Sequence, residues 1–275
     1  MTDKLHVDLS GAPQTMLATL YAKALDAAAP APILGDRYAR DLVDRLDYDW
    51  TKTTITARTA PSVTTRTAHF DGWTRQFLAN RPADSKTAVL HLGCGLDSRY
   101  FRLDPGPDVE WYDVDYPDVA ALRAQLFPER EHNHVVAASV TDPEWLDDIP
   151  ADRPTLLIGE GLTMYLTRDE GIALLRRVVD RFPAGELQFD AFSTFGISTQ
   201  WSNRVVRRAG ATLHWGINGP DDILGAVPGT RLLAWLSVFD SPSFRALPGA
   251  YRLMGAAMSR VKPLRNMAQY HRYAF

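Results

Sequence analysis

The chain has 275 residues, 45% of them hydrophobic and 23% charged, with a formal net charge of −3. That length builds one large α/β domain or two small ones, and the charge gives no basic field for nucleic acid or anionic lipid. Cys94 is the sole cysteine, which excludes an intramolecular disulfide and a cysteine-rich metal site.

The opening MTDKLHVDLSG has no apolar core of the secretory type. No apolar run approaches the roughly 20 residues of a membrane span. A cytoplasmic location without a membrane partner is therefore expected. From Ala12 to Trp50 the pattern is helical, with Leu17, Leu20, Tyr21, Ala24 and Leu25 at three-to-four spacing. AAAPAP at 27–32 interrupts it, and Asp36 is placed to cap a second helix carrying Tyr38, Leu42, Val43 and Leu46. A third helix fits 62–80, with Val63, Phe70, Trp73 and Phe77 on one side, and RPADSK follows it.

Beyond Thr87, strand-length apolar runs alternate with helical ones. Strands are expected at 88–92, 110–115, 134–139, 155–160 and 186–192, with helices at 117–127 and 167–182. Thr167 and Glu170 have capping-box spacing at the start of the second helix. The runs 231–239 and 269–275 also suit strands, and an irregular insertion is expected near 194–228. Alternating strands and helices predict an α/β fold with a mostly parallel, doubly wound sheet. A single domain is expected, with a helical cap over 1–82 and an α/β core over 83–275.

In such a sheet the ligand lies at the carboxyl ends of the strands. Gly93 and Gly95 follow the first strand, where a Cβ would block a close approach or forbid the turn. Asp115 ends the second strand about 20 residues later, the place of an acid that accepts from ribose hydroxyls. A dinucleotide site would need a third glycine beneath the pyrophosphate, but Ser98 stands there. S-adenosylmethionine has no pyrophosphate and does not need that glycine. It does need a cation for its carboxylate and acidic or carbonyl oxygens for its amine.

The motifs HLGCGLDSRYFRL, WYDVDYP, IGEGLTMYLT and TTRTAHFDGWTRQFL occur in one order along nearly the whole chain. Together they resemble the leucine carboxyl methyltransferase family, in the bacterial branch of tetracenomycin-type polyketide O-methyltransferases. The resemblance implies a Rossmann-like, seven-stranded sheet with its last strand antiparallel, and S-adenosylmethionine as cofactor. It implies that Arg66 pairs the methionyl carboxylate, that Gly93 approaches the cofactor, that Asp115 holds the ribose and that Glu160 lies near the methionyl part. Gly95 completes the turn, and Lys23 is a second candidate cation. The family's usual Asp-Leu after the third strand is Ser139-Val140 here, with Asp142 as a candidate replacement for the adenine-binding acid. Cys94 reads as a small packed side chain rather than a nucleophile.

In-line methyl transfer from a sulfonium depends mainly on alignment. A carboxylate acceptor arrives ionised, whereas a phenol, with a pKa of about 10, benefits from a general base. No catalytic residue is assigned. Tyr21, His69, Tyr165, Trp201, His214 and Trp215 are the candidate acceptor-binding residues, with Phe195 as a further aromatic. No clustered metal ligands are seen. The expected function is O-methylation of a small-molecule carboxylate or hydroxyl, such as that of a polyketide-like product. The alternatives are a protein C-terminal carboxyl methyltransferase and a non-catalytic domain of the same fold.

Overall fold

The computed structural model describes residues 4–7, 12–81 and 85–275. Parts of the N-terminal stretch and of the RPADSK separator lie outside the described residues. Seven strands form one sheet: β1 (Thr87–Leu92), β2 (Val109–Asp115), β3 (Asn133–Ala137), β4 (Thr155–Gly159), β5 (Gly185–Phe192), β6 (Arg231–Ser237) and β7 (Ala268–Ala274). Their order is β3-β2-β1-β4-β5-β7-β6. The first five are mutually parallel, and β7 runs antiparallel between β5 and β6.

β1 is buried along its whole length, which explains its unbroken apolar run: helices cover both faces. One face packs Leu90, Leu92, Val114 and Leu157 against Ile172, Leu175 and Val178 of one helix. That helix spans Arg168–Arg181, and the capping box at its start is formed, Thr167 accepting from Glu170 N and Glu170 reaching back. The opposite face packs Val89, Trp111, Leu156 and Ile158 against Phe77, Leu78, Tyr100 and Leu103.

Three helices precede the sheet: α1 (Ala12–Ala27), α2 (Arg37–Arg45) and α3 (Pro61–Ala79). Asp36 caps α2 by accepting from Ala39 N at 3.2 Å. The helical pattern expected up to Trp50 stops at Leu46, because Leu46 and Asp47 pair in parallel with Leu5 and His6 as a two-residue ladder. Two more differences matter to the site. Strand β3 ends at Ala137, so Ser139 and Val140 lie in the loop beyond it. The connection from β6 to β7, residues 238–267, holds a helix at Gly249–Met258 that the sequence reading did not mark.

Candidate active site

The strand order reverses between β1 and β4, and the crevice at such a switch point is where open α/β sheets bind ligands. Here it opens into a cavity of about 1070 Å³. Ligand pockets usually run to about 300–1,000 Å³, so this one has room for a cofactor and an acceptor together. Its lining divides by chemistry. At one end are Lys23, Arg66, Asp97, Asp115, Glu160 and Asp190. At the other, Ile55, Val206, Phe239, Phe244, Leu247 and Met254 present apolar surface.

The polar end is built from strand ends. After β1, Gly93 and Gly95 adopt φ values of +61° and +52°, which side chains with a Cβ rarely take. A Cβ on Gly95 would lie 3.1 Å from Met16, and one on Gly93 3.2 Å from Leu162. Gly95 N donates to Asp115 Oδ2 at 2.7 Å, locking the turn to the end of β2. Tyr116 N donates to Asp115 Oδ1 at 2.8 Å. A carboxylate offers about four acceptor positions, so two remain on Asp115. Burial pushes its pKa up despite these two donors.

Arg66 rises from α3 into the cavity between two carboxylates. Its Nε donates to Glu160 Oε1 at 3.0 Å and its Nη1 to Asp190 Oδ2 at 2.9 Å. Gly161, at φ +72°, lies under the guanidinium, and a Cβ there would come within 3.3 Å of Nη2. Two of five N–H groups are thus used, leaving donors for an anion. Lys23 Nζ sits 3.0 Å from Asp97 Oδ2. Thr67 Oγ1 donates to Glu160 at 2.7 Å, and Arg99 donates to its other oxygen. Arg99 and Arg66 beside it hold the Glu160 carboxyl down to about 2 against the cost of burial.

Behind this surface lies a layer of buried charge. Arg99 donates from Nε to Asp71 Oδ1 at 2.9 Å, and Arg102 from Nε to Asp71 Oδ2 at 2.7 Å. Arg102 also reaches Asp97 at 2.8 Å and Asp36 at 3.0 Å. Arg123 donates to Asp113 at 2.5 Å and to the carbonyls of Gly95 and Asp97 at 3.0 and 2.7 Å. His91 contacts Asp113 at 2.8 Å, and burial pushes its pKa down. This layer fixes the glycine turn and Glu160 as one body. The sequence reading missed Asp190, Asp71, Arg99 and Arg102. For Arg99 and Arg102 the signal was charge interleaved with aromatics in DSRYFR, directly after a cofactor-type turn; Asp71, in AHFDGW, and Asp190, in ELQFDAF, are acids set among aromatics on an expected helix and an expected strand.

The cavity brings together Lys23, Arg66, Gly93, Gly95, Asp115, Ser139, Val140 and Glu160, all singled out for the cofactor. Ser139 Oγ pairs with Thr141 Oγ1 at 2.8 Å. Asp142 is exposed and off the cavity, so it is not placed to replace the missing adenine acid. Cys94 is buried in the turn, which pushes its thiol pKa well up, as suits a packed side chain. The charge-bearing set fits S-adenosylmethionine: two cations for a carboxylate, acidic oxygens for an ammonium, and a strand-end acid for a ribose.

The acceptor-binding expectations need correction. Tyr165 lines the cavity, its hydroxyl donating to Thr15 Oγ1 at 3.3 Å. The other five lie outside it. Tyr21 stacks on Trp50 with centroids 5.3 Å apart. His69 is wedged between Trp73 and Tyr270, at 4.3 and 4.8 Å, on the side of α3 that faces the sheet. Trp201 is 70% exposed, Phe195 is also on the surface, and His214 points to solvent. Trp215 belongs to the core, where its ring would lie 1.9 Å from a Cβ on Gly171. The aromatic wall of the acceptor end instead comes from Phe192, Phe239, Phe244, Tyr251 and Tyr270.

At that end the β6–β7 connection contacts the N-terminal cap. Tyr251 Oη donates to Arg58 O at 2.5 Å, and Ser243 Oγ to Thr65 O at 2.7 Å. Among the described residues, no histidine lines the acceptor end, no group of His, Cys, Asp and Glu is arranged to hold a metal ion, and no helix is long and apolar enough to cross a membrane.

The model of the leucine carboxyl methyltransferase family matches residues 16–179. The chain is 41% identical, over 98% of both chains, to the tetracenomycin polyketide synthesis O-methyltransferase of Streptomyces glaucescens. It is 37% identical, over 83% of both, to an S-adenosyl-L-methionine-dependent methyltransferase of Gibberella zeae. Among solved structures, a DUF574 family protein of Streptomyces avermitilis superposes with a TM-score of 0.53 at 15% identity, covering 92% of this chain and 96% of that one. This last likeness is one of fold.

Proposed function

Because the chain belongs to the leucine carboxyl methyltransferase family and is an S-adenosylmethionine-dependent methyltransferase, we propose that it O-methylates a carboxylate of a small, largely apolar, polyketide-like molecule. The relative from Streptomyces glaucescens, named for tetracenomycin polyketide synthesis, supports the substrate class. The observation that carries the reading is the cavity itself: charged and apolar linings side by side, in a volume of about 1070 Å³.

The bound cofactor supplies an electrophilic methyl on a sulfonium. The protein's part is to hold the methionyl and ribose groups through Arg66, Lys23 and Asp115, and to exclude water from the apolar end. Alignment of this kind is worth several kcal/mol of the barrier. The acceptor end favours a nucleophile that arrives ionised. Burial pushes the pKa of Tyr165 up and that of Tyr270 far up, so neither phenol is a base near neutral pH. Glu160 and Asp190, two of the carboxylates that line the cavity, are both ion-paired with Arg66. A carboxylate acceptor needs no proton removed.

The test is methyl transfer from radiolabelled cofactor to aromatic carboxylic acids and to matched phenols. A methyl ester releases labelled methanol in mild base, and an aryl ether does not. Base-labile product from the acids is expected. Base-stable product from the phenols alone would overturn the carboxylate assignment.

A further inference from the structure

The two carboxylates that share Arg66 are not equivalent. Glu160 accepts from Arg66, Thr67 and Arg99, which takes three of a carboxylate's roughly four acceptor positions. Asp190 accepts from Arg66 Nη1 at 2.9 Å and from Gly161 N at 2.6 Å, so two positions remain. Both side chains line the charged end of the cavity.

The distribution of charge follows the same line. Lys23, Arg66, Arg99 and Arg102 are the cations of this buried cluster, and Asp36, Asp71, Asp97, Glu160 and Asp190 are the carboxylates they pair with. The cluster is therefore one positive charge short. Glu160 has two guanidinium groups against it. Asp190 has only its share of Arg66, and burial pushes its pKa up. The unmet negative charge falls on Asp190, where an incoming cation gains most.

We propose that Asp190 is a cofactor-binding residue that receives the methionyl α-ammonium of S-adenosylmethionine, while Glu160 orients Arg66 and Arg99 behind it. This assignment rests on the reading of the cavity as the cofactor site. The family resemblance implied only that Glu160, at the end of β4, lies near the methionyl part; the ammonium contact is assigned here to Asp190 on β5. Thr163 Oγ1 donates to Asp190 O at 2.6 Å, which pins the backbone that carries the carboxylate.

The experiment is calorimetric titration of the protein with S-adenosylhomocysteine and with its deaminated analogue, 5′-S-(3-carboxypropyl)-5′-thioadenosine. The wild type is expected to bind the analogue on the order of tenfold or more weakly, for loss of a charged hydrogen bond. Asp190→Asn is expected to bring S-adenosylhomocysteine down to the analogue's affinity, so that the ratio falls to about one. Glu160→Gln is expected to weaken both compounds alike and keep the wild-type ratio. A ratio kept in Asp190→Asn, or lost in Glu160→Gln, overturns the proposal. If Asp190→Asn does not fold, Asp190→Ser is read in the same way and the Glu160→Gln ratio decides independently. Wild-type protein that binds neither compound sinks the cofactor reading itself. Wild-type protein that binds both equally sinks the Asp190 assignment alone.

Discussion

Arg99 Nε donates to Asp71 Oδ1 at 2.9 Å, with both side chains fully shielded from solvent, so the helix after the glycine turn is tied to α3 by an ion pair inside the protein. The same guanidinium reaches Glu160 and lies 3.5 Å from Asp97. Removing one member of such a buried network leaves its partners charged and unpaired, at a cost of about 3–5 kcal/mol. Arg99→Leu is expected to lower unfolding free energy by that amount in urea titration. A loss below about 1 kcal/mol, the scale of an exposed ion pair, would show that the network is not what holds this layer together.

Ser139 lines the cavity just past β3, at the position where relatives of this family carry an aspartate by the resemblance drawn above. Its hydroxyl is a weaker acceptor than a carboxylate for an exocyclic amine. Ser139→Asp is expected to tighten S-adenosylhomocysteine binding by about 1 kcal/mol, read by calorimetry. Weaker binding would place the adenine amino group elsewhere.

His69 sits buried between two aromatic rings with Nε2 unpaired. Burial, helped by Arg272, pushes its pKa down to about 4. The unfolded chain, near 6.5, takes up this proton first. Stability from the neutral ring is therefore complete above about pH 6.5 and declines as pH falls toward 4. His69→Phe is expected to flatten that decline and to stabilise the protein by about 1 kcal/mol at pH 7 by removing the unpaired nitrogen. Urea midpoints at pH 7 and pH 5 measure both effects. Methyl transfer is expected to persist, because the ring does not line the cavity. An unchanged pH slope would contradict a neutral, buried imidazole.

The parts of the fold that follow from short-range pattern were legible in the sequence. The apolar run 88–92, the Asp36 cap and the Thr167–Glu170 capping box all depend on neighbours a few residues apart, and each is formed. The residues proposed for the cofactor were legible as a set through the order of the motifs that carry the family resemblance, and the fold brings them to one cavity. Arg99, Arg102 and Asp71 were not, since a charged helical face reads as a solvated one until the tertiary fold covers it. The acceptor residues were misplaced for a related reason. Trp215 and His69 look like pocket aromatics, but whether a ring meets a cavity or the core depends on packing across the sheet. The helix Gly249–Met258 carries apolar residues on more than one side, with Leu253 74% exposed, so periodicity gave it no clear inner face.

Each end of the cavity draws a large share of its lining from one stretch of chain. The glycine turn, Asp115 and Glu160 all come from 93–160, whereas Phe239, Phe244, Leu247, Tyr251 and Met254 come from one later connection between β6 and β7. That connection leaves and rejoins the sheet at its far edge, away from β1. Among the described residues, none of the ion pairs of the charge layer under the glycine turn involves a residue of this connection, so its side chains can be changed with that layer left intact. Diversification of acceptors on this scaffold would then begin at 238–267, with the methyl donor's seat inherited unchanged.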